Sequence, residues 1–348
     1  MTNWLKLTDD QRRASIAEVE YITGIQAKAI EKDWWVTLTL RALFQGAYAQ
    51  HIVFKGGTSL SKCWKLISRF SEDIDIALAP EAFEMKYEKD PSKSYVEKLK
   101  RAGCVFTSTK LKEDLEAQFL KLGVPKDFIL IEAESIPENR PDTDPQTLHV
   151  KYKPLYDPNP YIADEVKIEV SVRSLKTPFS KAAIQSILSL ENPSDSYQEE
   201  PLQIDAVEPH KTLLEKIFLL HEEFGKPDVT KIRSERMSRH LYDLSSMIDT
   251  DAEAKAVSDD QLYQDLIHHR KCYQRIRWVD YETLGYSTIS FIPPDNIIDL
   301  YRQDYKTMQE EMIYGKAASF DELVARLQSL QAKFRNKQRS FLNLHYEQ

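Results

Sequence analysis

The chain has 348 residues, 42% of them hydrophobic and 29% charged, with a formal net charge of −8. That length and balance suit a globular protein with two domains, or one core with an elaborated helical half. The acidic balance argues against a protein that coats nucleic acid nonspecifically, since such binders rely on many basic phosphate contacts. No apolar run approaches the roughly 20 residues of a membrane span, and Met1-Thr2-Asn3-Trp4-Leu5-Lys6 lacks the basic-then-apolar order of a secretory signal, so the expected location is the cytoplasm and no membrane partner is expected.

Residues 8–48 carry a helical pattern, with Thr8-Asp9-Asp10-Gln11 as an N-terminal cap and Ile16, Val19, Ile22, Ile25 and Ala29 at helical spacing. A second helix is predicted through Glu31-Lys32-Asp33-Trp34-Trp35 to Phe44. His51 to Phe54 reads as a short strand ending in Lys55-Gly56-Gly57, followed by a helix from Thr58 through Trp64. Ile74-Asp75-Ile76-Ala77-Leu78 alternates as a strand until Pro80. Charged helical segments are expected within 94–122, and the Pro-rich passage 137–160 reads as loop and edge-strand material. The clearest alternation is Val166 to Val172, with Ile168, Val170 and Val172 toward a core and Lys167, Glu169 and Ser171 on the other face. Beyond Pro209 the pattern is helical, at 211–223, 238–248, 259–273, 294–312 and 320–341.

Cys63, Cys104 and Cys272 are scattered, with no CxxC pair, and the eight histidines show no HExxH, so neither a disulfide framework nor a zinc site is expected. The chemistry concentrates elsewhere. Only nine glycines occur, yet Gly56 and Gly57 are adjacent between a strand and a helix, where backbone can approach a phosphate closely and Thr58 and Ser59 can add hydroxyl donors. By itself such a pair is equally a plain tight turn.

Asp73 and Asp75 lie two apart on the next strand, a spacing that turns both carboxylates to one face and suits Mg²⁺ shared with triphosphate oxygens. Glu169 is the expected third carboxylate, able to share a second ion and help deprotonate an acceptor; Glu165 precedes the alternation and is the weaker choice. Lys216, in an otherwise apolar helix, can reach triphosphate oxygens, and Asp243 can orient a base, a ribose or that lysine. Each taken singly also fits an ordinary surface ion pair.

Taken in order, Glu31-Lys32-Asp33-Trp34-Trp35, Lys55-Gly56-Gly57-Thr58-Ser59-Leu60-Ser61-Lys62, Arg69-Phe70-Ser71-Glu72-Asp73-Ile74-Asp75, Leu214-Glu215-Lys216 and Arg239-His240-Leu241-Tyr242-Asp243-Leu244 resemble the AbiEii/AbiGii-type nucleotidyltransferase toxins, relatives of the MenT toxins. The resemblance implies an α+β fold: a polymerase-β-like core, a mixed sheet flanked by helices, with a largely helical C-terminal half. Domains are expected at 1–205 and 206–348. It implies transfer of a nucleoside monophosphate from an NTP with Mg²⁺, or Mn²⁺ in its place, held by Asp73, Asp75 and Glu169. The nucleotide-binding set expected from it is Lys55, Gly56, Gly57, Thr58, Ser59, Lys62, Ser71 and Lys216, with Lys216 and Asp243 matching the family's later lysine and aspartate positions.

The resemblance further implies a toxin of a type IV-like toxin–antitoxin or abortive-infection system, active in phage defence, with a tRNA 3′ end as acceptor and a cognate antitoxin as partner. Clusters at Lys226, Lys231, Arg233, Arg236 and Arg239, and at Arg270, Lys271, Arg275 and Arg277 beside Tyr273 and Trp278, suit RNA contact as well as they suit solvated helix faces. The rivals are a nucleotidyltransferase acting on a small molecule or protein hydroxyl, and a noncatalytic nucleotide-binding regulator.

Overall fold

The structure is a computed structural model that describes residues 1–158, 162–194 and 196–346, with side chains through residue 337. The chain divides into two units, one of Met1–Lys65 and Phe70–Val207, the other of Leu66–Arg69 and Glu208–Gln348.

The first unit opens with helices α1 (Asp9–Thr23) and α2 (Ala27–Phe44). Thr8 caps α1 reciprocally: its hydroxyl accepts from Gln11 N while the Gln11 side chain accepts from Thr8 N. Then come β1 (Ile52–Lys55), α3 (Gly56–Lys62) and β2 (Ile74–Leu78), in the predicted order of strand, glycine turn, helix and strand. The unit continues with α4 (Lys93–Phe106), α5 (Lys112–Lys121), β3 (Ile129–Ala133), β4 (Gln146–Tyr152), β5 (Glu165–Ser171), β6 (Phe179–Ile184), α6 (Ile187–Glu191) and β7 (Leu202–Val207).

The seven described strands form one mixed sheet of order β3-β4-β5-β2-β1-β7-β6. β2 runs parallel to β5 and β1 parallel to β7, while the remaining pairs are antiparallel. A mixed sheet flanked by helices is the α+β architecture expected. One face is apolar: Phe54, Ile76, Ile168, Val170 and Leu148 are at most 1% exposed. Helix α2 covers part of it, with Trp35 stacked on Tyr152 at 4.9 Å between ring centroids. On β5 the alternation holds, with Val166, Ile168 and Val170 buried and Lys167, Glu169 and Ser171 half-buried.

Three readings need correction. The Pro-rich passage contains β4, an interior strand rather than an edge, which fits because Pro145 and Pro154 flank the strand and leave its ladder intact; Pro160 lies outside the described residues. Strand β2 begins at Ile74, so Asp75 lies on it and Asp73 immediately precedes it. Strand β5 begins at Glu165, whose carboxylate meets His149 Nδ1 on β4 at 2.9 Å.

The second unit is helical: α7 (Pro209–Phe224), α8 (Ser238–Met247), α9 (Asp251–Ser258), α10 (Asp260–His269), α11 (Ile298–Glu311) and α12 (Phe320–Tyr346). Pro209 starts α7, where its missing N–H costs nothing. On α12 the buried positions Leu323, Leu327, Leu330 and Phe334 recur every three or four residues, the apolar stripe of a helix packed on one side.

Candidate active site

Gly56 adopts φ +81°, and a Cβ added there would fall 2.8 Å from Asp75 Cγ. The position therefore demands glycine twice, for its left-handed backbone and for the close approach of a carboxylate. Helix α3 starts at this residue without a side-chain cap. The hydroxyls expected to meet phosphate have other work. Thr58 is 1% exposed; its hydroxyl donates to Asp73 O at 2.6 Å, and so accepts from Ser71 Oγ at 2.8 Å. Ser59 Oγ donates to Gly56 O at 2.9 Å. Lys62 is buried in an ion pair with Asp33, Nζ to Oδ1 at 2.5 Å. These three side chains brace the turn and the segment before β2.

The ladder sets the acids in a row. Asp75 on β2 pairs in register with Glu169 on parallel β5 and with Lys55 on antiparallel β1, so the three side chains leave one face of the sheet on adjacent strands. Lys167, on the same face of β5 as Glu169, forms an ion pair with it. Burial pulls the Lys167 pKa down, but the bonded Glu169 carboxylate, with Asp73 adding to it, outweighs burial and raises it. Among the described residues the oxygens of Asp73, Asp75 and Glu169 do not converge into a compact three-ligand group. One Glu169 oxygen, Oε1, is engaged by Lys167.

A hard divalent cation fits this donor set. Asp73 and Asp75 offer carboxylate oxygens at half-buried positions, and Gly56 leaves the Asp75 carboxylate room beside the backbone. Glu169 adds a further carboxylate on the adjacent strand, with Lys167 on its Oε1.

The second unit holds Lys216 and Asp243 together, and neither is a surface residue. Asp243 is wholly buried and bound at both oxygens by Arg69, Nε to Oδ1 at 2.7 Å and Nη2 to Oδ2 at 2.8 Å. Lys216 Nζ lies 3.0 Å from Oδ2 and 3.3 Å from His240 Nδ1. An ammonium has only donors, so Nδ1 accepts and the ring proton sits on Nε2. Burial alone would raise the Asp243 pKa; Arg69, then Lys216, overturn that and hold it well below the usual carboxylate range. Burial lowers the Lys216 pKa against the pull of Asp243, and burial together with Lys216 and Arg239 pushes His240 far below its ordinary value, leaving the ring neutral. Arg69 and His240 were not among the expected site residues. The signal was available, because both stand inside the matched stretches.

The basic clusters proposed for RNA are largely engaged. Lys226 and Arg233 share Glu223, Lys231 meets Asp228, Lys271 meets Glu282, and Arg270 is held by Glu222. Tyr273 is buried and stacked on His269 with centroids 4.4 Å apart, which removes it as a platform for a base, whereas Trp278 is 46% exposed.

No curated protein matches the chain at a significant level. A family model described as nucleotidyl transferase AbiEii toxin, type IV TA system, matches residues 39–326, a span that includes the glycine turn, Asp73, Asp75, Glu169, Lys216 and Asp243. With that span matched and a mixed-sheet core in place, the chain belongs to the AbiEii family of nucleotidyl transferase toxins.

Proposed function

We propose that this chain moves a nucleoside monophosphate from an NTP to the hydroxyl of a tRNA 3′ end, the hydroxyl oxygen bonding to the α-phosphorus as the bond to the β-phosphate breaks and pyrophosphate leaves, and that the row formed by Lys55, Asp75 and Glu169 beside Gly56 is where the transfer occurs. The observation that carries this reading is the contact of Gly56 with Asp75. A phosphate-approaching turn and a metal-binding carboxylate are useful together only if they meet, and here a Cβ at the turn would collide with the acid. Asp73 and Asp75 would hold Mg²⁺, or Mn²⁺ in its place, and the bound ion supplies charge stabilisation to the attacking and leaving oxygens of an in-line displacement. Lys55 and the backbone from Gly56 to Thr58 would orient the triphosphate, Ser71 and Thr58 would hold the Asp73 segment, and Glu169 would take a proton from the acceptor once Lys167 releases it. Lys216, as an ammonium fixed by Asp243, supplies a point charge for phosphate oxygens.

On this reading residues 1–205 are the catalytic core and 206–348 a helical domain; the two units support that division, except that Leu66–Arg69 falls with the helical unit and the first unit runs on to Val207. No described helix is long and apolar enough to cross a membrane, and the requirement for NTP supports a cytoplasmic site of action. The type IV toxin–antitoxin family supports an antitoxin as regulatory partner. One observation favours a second acceptor class: the basic side chains best suited to RNA are largely paired with acids, which suits a small-molecule or protein hydroxyl.

The test is transfer of label from each α-labelled NTP, with Mg²⁺, to total bacterial tRNA beside an Asp73→Ala control. Label in tRNA that is lost in the variant is the expected result. Mutant-sensitive label in protein or small molecules would overturn the acceptor, and label undiminished in Asp73→Ala would overturn the site.

A further inference from the structure

Helix α2 carries Glu31-Lys32-Asp33-Trp34-Trp35, which the proposed chemistry leaves without a role. Its charges are not solvated: Lys32 is 2% exposed, and its neighbour Asp33 is only half-buried but fully engaged. Burying such charges costs free energy unless each finds a partner. Lys32 Nζ lies 2.8 Å from Glu72 Oε2, an ion pair by distance rather than an aligned hydrogen bond, and donates to Ala163 O at 2.9 Å. Asp33 takes Lys62 Nζ on Oδ1 at 2.5 Å and the backbone N–H of Ile187 on Oδ2 at 2.7 Å.

The partners are the informative part. Glu72 stands between Ser71 and Asp73, and Lys62 closes α3, whose first residue is Gly56. Two successive side chains of one helix thus grip the two segments that meet at the candidate site, one leading to the carboxylates and one following the glycine turn. The helix itself is fixed against sliding by its aromatic pair, Trp34 on Trp4 with centroids 4.6 Å apart and Trp35 on Tyr152.

We infer that Lys32 and Asp33 are positioning residues, and that α2 is a strut setting the spacing between the glycine turn and Asp73 through Lys62 and Glu72. The inference rests on the metal and triphosphate reading given above. It has a consequence opposite to simple electrostatics. Removing the positive charge of Lys32 near acids would by Coulomb's law tighten cation binding, and removing the negative charge of Asp33 would tighten binding of a polyanion. A strut predicts that both weaken.

The experiment is direct binding with the full chain: Mn²⁺ alone, followed by the electron paramagnetic resonance signal of the free ion, and inorganic tripolyphosphate with Mg²⁺, followed by calorimetry. Lys32→Met is expected to weaken Mn²⁺ about tenfold, the scale of outer partners of metal ligands. Asp33→Asn, which keeps the side-chain shape and tests the inference even where Lys32→Met fails to fold, is expected to weaken tripolyphosphate by a similar factor. Unchanged or tighter binding in folded variants would overturn the strut. Wild-type Mn²⁺ affinity in Asp73→Ala would instead remove the metal site, and the inference would fall with that reading rather than through α2.

Discussion

Asp243 in the second unit is wholly buried yet ionised, because Arg69 grips both its oxygens and Lys216 adds a third contact. Glu169 in the first unit is 30% exposed at its side chain and balanced by a single lysine, itself 38% exposed. The two arrangements have different physics. A buried, fully paired carboxylate cannot lose a partner without stranding charge in a poor solvent, so it is fixed. A half-exposed carboxylate can trade one cation for another, since water absorbs much of the cost. Stability resides in the first kind of cluster, and exchange of ions in the second.

That contrast is broken most directly by Asp243→Ala, which strands Arg69 and Lys216 and should cost about 3–5 kcal/mol in urea denaturation at pH 7. Asp75→Asn should leave the urea midpoint near that of the wild type while abolishing transfer. An equal stability loss in both variants would erase the distinction.

Glu31 sharpens the comparison, being as buried as Asp243 without an arginine fork. Burial raises its pKa from 4.5 to about 7, against a hydrogen bond from Leu155 N at 2.8 Å. A carboxyl whose folded pKa exceeds its unfolded one leaves stability intact below pH 4.5 and erodes it as pH rises toward 7. Glu31→Gln mimics the protonated form, so it should stabilise the protein by about 3 kcal/mol at pH 8 and flatten the wild-type decline between those limits. A variant less stable than wild type at pH 8 would show that the buried charge is compensated.

Gly56→Ala tests the open cluster from the backbone side. Left-handed strain and the overlap with Asp75 should cost about 1–3 kcal/mol and displace the carboxylate, reducing transfer at least about tenfold. The smallest effect is expected from Lys167→Met: under about 1 kcal/mol in stability, with Mn²⁺ binding tightened severalfold because the competing internal cation is gone. Weaker Mn²⁺ binding would mean that Lys167 supports the site instead of occupying it.

The parts of the fold that could be read along the chain are those whose signal is local. Strand, glycine turn, helix and strand from His51 to Leu78 announce themselves by alternation and by two of nine glycines falling together. The stripe on β5 was legible for the same reason, and so was the Thr8 cap. Edge strands β3 and β6 and interior strand β7 do not stand out in the sequence, and the passage holding β4 reads as loop and edge. Strands are completed by the neighbours they pair with, and prolines in the surrounding passage obscure a seven-residue ladder that contains no proline.

By itself, then, the sequence determined the element types around the glycine turn and the chemical class of the donors, because periodicity and residue type are properties of short segments. Tertiary structure alone decided which groups each donor meets. Register across β2 and β5 brought Asp75 level with Glu169, residues 94 positions apart in the chain. Folding likewise gave Thr58, Ser59 and Lys62, expected phosphate ligands, internal partners in Asp73 O, Gly56 O and Asp33, and joined Arg69 to Asp243 across 174 residues. A side chain's partners depend on burial and on contacts distant in sequence, and no local pattern encodes them.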